Sequence, residues 1–240
     1  MRVDSLPEAH RFRCLLRDVF AYVAALSLCF VPAAHAQQVS SKATTVIATI
    51  DALDVEHHWP AGLHVNWENG EPDGRPESGS GKHTHCSAFV AAAAKAFGIY
   101  ILRPPEHPQI LLANAQYEWL ASAGVTQGWR AVDGPLEAQR LANRGDFVVA
   151  AYRIAHADKP GHIAIVRPSE RDSASILREG PEVTQAGLTN YRATTLAQGF
   201  AGHAAAWTRH EVRFYAHAVA LGDAARRPAH SGTSRPLSGR

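Results

Sequence analysis

Cysteine is scarce in this sequence, which has three cysteines in 240 residues. Two of them, Cys14 and Cys29, lie in an N-terminal segment with the pattern of a secretory signal, so we predict that Cys86 is the only thiol of the mature protein. A framework of disulfides within the chain is therefore excluded. An unpaired cysteine in an exported protein is reactive, is paired with another chain, or is buried in the core.

Long apolar runs are also lacking, with one exception near the start of the chain. Residues 19–31 carry no charge and are mostly apolar, basic residues precede them, and Ala34-His35-Ala36 follows. This pattern is typical of a signal peptide with a small-x-small cleavage site, and the run is too short to cross a hydrocarbon core of about 30 Å as a helix. We predict a signal peptide over residues 1–36, a periplasmic or secreted mature protein, and no stable membrane insertion after cleavage.

An excess of charge of one sign is missing too. The chain has 24 Lys and Arg residues against 22 Asp and Glu residues, so electrostatics provide no case for a nucleic-acid partner. The sequence predicts a helical segment over residues 37–59, one domain over residues 60–220, and a tail at 221–240 that is poor in apolar residues and therefore disordered. We find no internal repeat, and the sequence does not indicate an oligomeric state.

The remaining chain changes from helical to strand-like patterns after Arg144-Gly145. Residues 43–59 contain a helix-compatible pattern, and a loop rich in Gly, Pro, Glu and Ser over residues 68–82 leads to Cys86. Helices are predicted at residues 87–97, 109–123 and 135–143, and strands at 147–154, 162–168, 175–178, 182–185 and 211–217. These patterns predict an α+β fold.

Cys86 and His162 are the candidates for catalysis. Cys86 lies at the first turn of an alanine-rich helix, where backbone N–H groups and the helix dipole favour a thiolate and can stabilise an oxyanion. His162 opens an apolar strand directly after Pro160-Gly161. A cysteine on a helix and a histidine on a strand facing it form the arrangement of nucleophilic cysteine catalysis.

Three short motifs carry a family resemblance. His85-Cys86-Ser87-Ala88-Phe89-Val90 resembles the cysteine helix of the NlpC/P60 and CHAP superfamily of papain-like amidases, residues 144–149 resemble its Gly-Asp strand, and residues 161–166 resemble its histidine strand. His85 and Ala88 replace the usual Asp and Gly of that family. The resemblance, that of a distant member, implies a papain-like α+β fold with N-terminal helices packed on an antiparallel sheet. It also implies hydrolysis of amide bonds in peptidoglycan stem peptides, cross-bridges or other peptide and amide substrates, without a cofactor.

A third catalytic residue is expected on the strand after His162, where an acceptor oxygen would fix the imidazole tautomer. Gln185 is the first choice, because alternation places it on the same face as Val183 and opposite Glu182 and Thr184. Asn190 and Glu182 are the alternatives.

Substrate-binding roles are predicted for residues near Cys86. Asn66 and Trp67 precede the Gly- and Pro-rich loop, in the segment from which family members often build a cleft wall, and His85 and Ser87 flank Cys86.

Other functions remain open from the sequence. A non-catalytic module could use the same fold to bind cell-wall peptides or a partner protein. His83, His85 and Cys86, with His57 and His58 upstream, contain enough ligands for zinc, but their spacing fits no standard motif, and we predict no metal site. A serine hydrolase that uses Ser87 lacks a motif of its own.

Overall fold

The computed structural model describes residues 38–76, 83–154 and 159–221. The predicted signal peptide lies outside the described residues, and so does the predicted tail apart from residue 221. In the described part of the chain, no helix is long and apolar enough to cross a membrane.

Helices and strands alternate along the described chain. The α-helices are α1 (Ser41–Asp51), α2 (Cys86–Ala96), α3 (Leu112–Leu120), α4 (Gly134–Asn143), α5 (Ser173–Glu179), α6 (Leu196–Gly199) and α7 (Ala204–Thr208), with 3-10 turns at Ala123–Gln127 and Ala201–His203. The strands are β1 (Arg130–Val132), β2 (Phe147–Tyr152), β3 (His162–Val166), β4 (Glu182–Gln185), β5 (Tyr191–Thr195) and β6 (Arg213–His217).

The six strands form one sheet in the order β1-β6-β2-β3-β4-β5, and every neighbouring pair is antiparallel. Strands β2 and β3 lie at its centre and pair from Val148 opposite Val166 to Tyr152 opposite His162. The predicted α+β fold with an antiparallel sheet is confirmed.

Both faces of the central strands are buried, which explains why β2 and β3 are apolar without alternation. Because side chains alternate across a strand, Ile163 and Ile165 point to a core shared with α1, α2 and α3, whereas Ala164 and Val166 point to a second core shared with α4, α6 and α7. His162 is the first residue of β3 and its ring packs against Phe200 of the second core, whereas Cys86 belongs to the first core.

The prediction of a strand at residues 175–178 was wrong. These residues belong to α5, because the Asp172 carboxylate accepts a hydrogen bond from the Ser175 amide at 2.9 Å and caps the helix. Aspartate at this position satisfies a backbone donor that has no partner inside the helix. The predicted pattern over 43–59 is helical only as far as Asp51, after which turns lead to Trp59.

Strands β1 and β5 and helices α6 and α7 were not predicted. The β5 sequence Tyr-Arg-Ala-Thr-Thr is largely exposed at the edge of the sheet, so it lacks an apolar pattern. Pairing with β4 determines its conformation.

Candidate active site

Cys86 is the first residue of α2. The helix is rich in alanine, the residue with the highest helix propensity, and nine of its residues from Cys86 to Ala94 are buried. The preceding residue, His85, is also buried, and its Nε2 lies 2.8 Å from the Leu63 carbonyl oxygen. This contact anchors the start of the helix to the loop before it.

Hydrogen-bond donors surround the Cys86 sulfur. Burial raises the pKa of the thiol, whereas hydrogen bonds from the Ile163, Ser87 and Cys86 amides and from the Thr84 hydroxyl lower it. The balance favours the neutral thiol, and the side chain is 3% exposed. Donors in this arrangement would stabilise negative charge on the sulfur.

His162 is the first residue of β3 and follows a turn that a buried asparagine holds. The Asn114 side chain donates to the Lys159 carbonyl at 2.8 Å and accepts from the Gly161 amide at 2.8 Å. Gly161 fits here because it lacks a side chain: a Cβ at this position would lie 2.1 Å from the Tyr152 carbonyl oxygen. Helix α3 thereby fixes the point at which the histidine strand begins.

Gln185 is the hydrogen-bond partner of His162, through Gln185 Oε1 and His162 Nε2. The other end of the glutamine amide donates to the Thr189 carbonyl at 3.1 Å, which leaves Oε1 as the acceptor facing the imidazole. His162 Nε2 therefore carries the proton, and the lone pair is on Nδ1. This is the tautomer required of a base that accepts a proton through Nδ1.

Burial keeps His162 neutral. It lowers the pKa of His162 to about 4, although the hydrogen bond to Gln185 acts in the opposite direction. The His162 ring packs edge-on against Phe200 at 4.6 Å between ring centroids, and the His203 ring lies nearly parallel to it at 6.0 Å. Phe200 is thus an apolar neighbour of the imidazole ring.

Cys86 lies beside the start of β3, the strand whose first residue is His162. The sulfur accepts a hydrogen bond from the amide of Ile163, the residue next to His162. Among the hydrogen bonds between described residues there is none that joins the two side chains directly. In enzymes without a bound substrate this contact is often long and tightens only in the complex.

The two alternatives to Gln185 have other partners. Asn190 donates to the carbonyls of Val55 and His58, both at 2.8 Å, and accepts from the Gly187 amide at 3.0 Å. Glu182 lies 3.5 Å from the Arg167 guanidinium. Gln185 is thus the one of the three candidates whose side chain contacts His162 in the described structure.

Two cavities adjoin the site. The His162 cavity, of about 490 Å³, is lined by residues of the Pro160–His162 turn, the hairpin after Gln185 and the segment from Gln198 to His203. The Trp67 cavity, of about 740 Å³, is lined by residues 64–68, Asp73, Arg75 and 83–85, and by residues 104–110 apart from Glu106. Thr84 lines both cavities.

The predicted substrate-binding residues occupy different places. Asn66 and Trp67 line the Trp67 cavity, and the Lys95 ammonium lies 5.4 Å from the centre of the Trp67 ring. His85 lines the same cavity beside its contact with Leu63. Ser87 is buried, and its carbonyl accepts a hydrogen bond from Gln116 at 3.1 Å.

Sequence reasoning missed Thr84, Asn114, Phe200 and His203. Phe200 and His203 come from a segment with no predicted element, and they reach His162 only because α6 and α7 fold over the sheet. No local pattern in the sequence marks these long-range contacts.

The cluster of histidines near Cys86 does not form a metal centre within the described residues, where no group of three or more His, Cys, Asp or Glu side chains could hold a metal ion.

No protein-family model and no curated protein matches this chain. The geometry around Cys86 and His162 therefore carries the functional argument.

Proposed function

We propose that this protein is an exported cysteine amidohydrolase with a papain-like arrangement of Cys86, His162 and Gln185. The observation that carries the proposal is the hydrogen bond from His162 Nε2 to Gln185 Oε1. This hydrogen bond leaves His162 Nδ1 free to accept a proton. The next residue, Ile163, donates a backbone hydrogen bond to the Cys86 sulfur, so the thiol lies beside the histidine strand.

The proposed reaction has two halves. The Cys86 sulfur attacks the carbonyl carbon of an amide while its proton moves to His162 Nδ1, and the imidazolium then protonates the leaving nitrogen as the C–N bond breaks. The products of this half are a free amine and a thioester on Cys86. In the second half, His162 takes a proton from water as the oxygen of the water attacks the thioester carbonyl carbon. The C–S bond then breaks, the acyl group leaves as a carboxylic acid, and the proton on His162 restores the Cys86 thiol.

Neutral reactants suit this scheme. Burial raises the pKa of Cys86 and lowers that of His162, so the resting pair is thiol and imidazole. The thiolate forms during attack, and the amide donors around the sulfur stabilise it at that moment.

Bacterial cell-wall peptides are the proposed substrate class. The signal pattern in residues 1–36 and the resemblance of the cysteine and histidine motifs to wall amidases support this choice. The scissile amide would lie in a peptidoglycan stem peptide or cross-bridge.

The test is digestion of purified peptidoglycan by the mature protein, with mass spectrometry of the released fragments. We expect fragments from the wild type and none from Cys86→Ala. His162→Gln is a second active-site variant that should also release none, and circular dichroism verifies that each variant is folded. Equal release by the wild type and by Cys86→Ala would refute the proposal.

A non-catalytic binding module is the second candidate, and the burial of Cys86 favours it. The side chain is 3% exposed and belongs to the lining of neither cavity. This candidate predicts that the wild type and Cys86→Ala bind peptidoglycan equally, that neither releases fragments, and that a small electrophilic amide does not label Cys86 at neutral pH.

A further inference from the structure

The His162 cavity contains no formally charged side chain among its described lining residues, which include no Asp, Glu, Lys or Arg. Much of its wall is glycine or alanine, including Gly161, Gly187 and Ala201. Its volume of about 490 Å³ is within the range of small-molecule sites. A group bound there meets backbone atoms and side chains without formal charge, among them Leu188, Tyr191 and Gln198.

The two histidines of the cavity provide no counter-charge at neutral pH. His162 and His203 lie 6.0 Å apart with nearly parallel rings, so a proton on either ring disfavours a proton on the other. Burial also lowers the pKa of both imidazoles. A charged ligand group would give up part of its hydration without gaining an ionic partner, which is unfavourable.

The reaction assigns the cavity to one half of the substrate. His162 donates the proton to the leaving nitrogen, so the amine that departs must lie on the His162 side of the sulfur. The Trp67 cavity shares Thr84 with the His162 cavity and has charged lining residues, Glu68, Asp73 and Arg75. The two sides of the site therefore differ in charge.

We propose that the His162 cavity binds the leaving-amine half of the substrate and selects for an uncharged amine. The inference rests on the proposed amidohydrolase function and adds a substrate class to it: amides whose leaving group is a compact neutral residue, such as alanine or glutamine with a blocked carboxyl group.

Matched substrates test this selectivity. One blocked acyl peptide is joined to four amines: glutamine amide and its acidic counterpart glutamate amide, and norleucine amide and its basic counterpart lysine amide. We expect kcat/KM for each neutral member to exceed that for its charged counterpart by about tenfold or more. Equal values within both pairs would overturn the inference.

A binding measurement separates this inference from the proposed function, because it needs no turnover. Calorimetry of the same four amides with Cys86→Ala protein should show the same preference for neutral members. If Cys86→Ala binds the neutral amides selectively and the wild type cleaves none of them, the cavity selects uncharged ligands but the proposed hydrolase function is wrong. Cleavage without selectivity would refute the assignment alone.

Gly202 is a lining residue at which a larger side chain can be placed without a clash, because a Cβ there meets no heavy atom within 4 Å. Gly202→Trp should weaken binding of the neutral amides about tenfold or more, and Gly202→Ala should weaken it less. Ala205→Trp, at an exposed residue of α7 outside the cavity lining, is the matched control for the added indole. Undiminished binding by folded Gly202→Trp protein would overturn the assignment.

Discussion

Gln185 determines which nitrogen of His162 is basic, and its substitution tests that role. Gln185→Ala removes the acceptor for Nε2–H, so we expect kcat/KM to fall by roughly 5- to 150-fold, the equivalent of about 1–3 kcal/mol. The loss should be smaller than that of His162→Gln, because an orienting group can be partly replaced. Steady-state kinetics on a soluble amide measure both.

Gln185→Glu is the informative companion variant. A carboxylate at Nε2 raises the pKa of His162, so the acid limb of the kcat/KM profile should move to higher pH. A Gln185→Glu protein with the same pH profile as Gln185→Ala would show that residue 185 does not contact His162 in solution.

His162 also makes the stability of the protein depend on pH. Its pKa is lowered from 6.5 to about 4 in the folded protein, so between these values the unfolded state binds more protons. The free energy of unfolding therefore falls as pH decreases through this window, by up to about 3 kcal/mol.

Urea unfolding of wild type and His162→Gln at several pH values measures this contribution. The wild type should lose more stability than the variant as the pH falls from 6.5 to about 4. Parallel losses in the two proteins would show that His162 titrates normally in the folded state.

At the level of elements, the turn between β2 and β3 depends on α3. Asn114→Ala removes two buried hydrogen bonds, to Lys159 and Gly161, and should destabilise the fold by about 1–3 kcal/mol. Asn114→Asp keeps the acceptor for the Gly161 amide and loses the donor to Lys159. Thermal unfolding and kcat/KM of both variants measure the effect.

The expected order of activity is wild type, Asn114→Asp, Asn114→Ala, because the Gly161 amide is the group next to His162. Equal activity in the three proteins would mean that β3 alone places the histidine.

The sequence predicted the elements that have strong local patterns and missed those that depend on partners. Strands β2 and β3 were predictable because both of their faces are buried, and α2 because it is rich in alanine. Residues 175–178 contain Ile and Leu and resemble a short strand, but the Asp172 cap and the packing of Ile176 in the helix decide otherwise.

For the candidate site, too, the residues with a local sequence pattern could be named from the sequence and the others could not. Cys86 and His162 follow from their motifs, and Gln185 follows from alternation along β4. Phe200 and His203 approach His162 from nearly 40 positions away along the chain, so a local pattern contains no information about them.

At the scale of the whole molecule, an ionic network joins the N-terminal helix to the sheet. Asp51 at the end of α1 pairs with the buried Arg167 after β3 and with Arg192 on β5. Burial raises the pKa of the Asp51 carboxyl group, but the hydrogen bonds from the two guanidinium groups outweigh that effect, so the pKa is lowered. Glu182 lies 3.5 Å from Arg167 and is the remaining acid near it.

Asp51→Asn leaves Arg167 buried with a weaker partner, and we expect a loss of about 3 kcal/mol in the free energy of unfolding. Glu211→Gln, at an exposed acid outside the network, is the control and should change stability by less than about 1 kcal/mol. Chemical denaturation measures both losses. Similar losses in the two variants would show that the ionic network does not stabilise the fold.

The contact between Gly161 and the Tyr152 carbonyl has an evolutionary consequence. The atom that a Cβ at Gly161 would meet at 2.1 Å is a backbone oxygen, that of Tyr152. Because every residue has this oxygen, a substitution at position 152 cannot make room for a side chain at position 161. In searches for very distant relatives, a Gly-His pair that opens a buried strand should therefore persist after similarity around the cysteine has been lost.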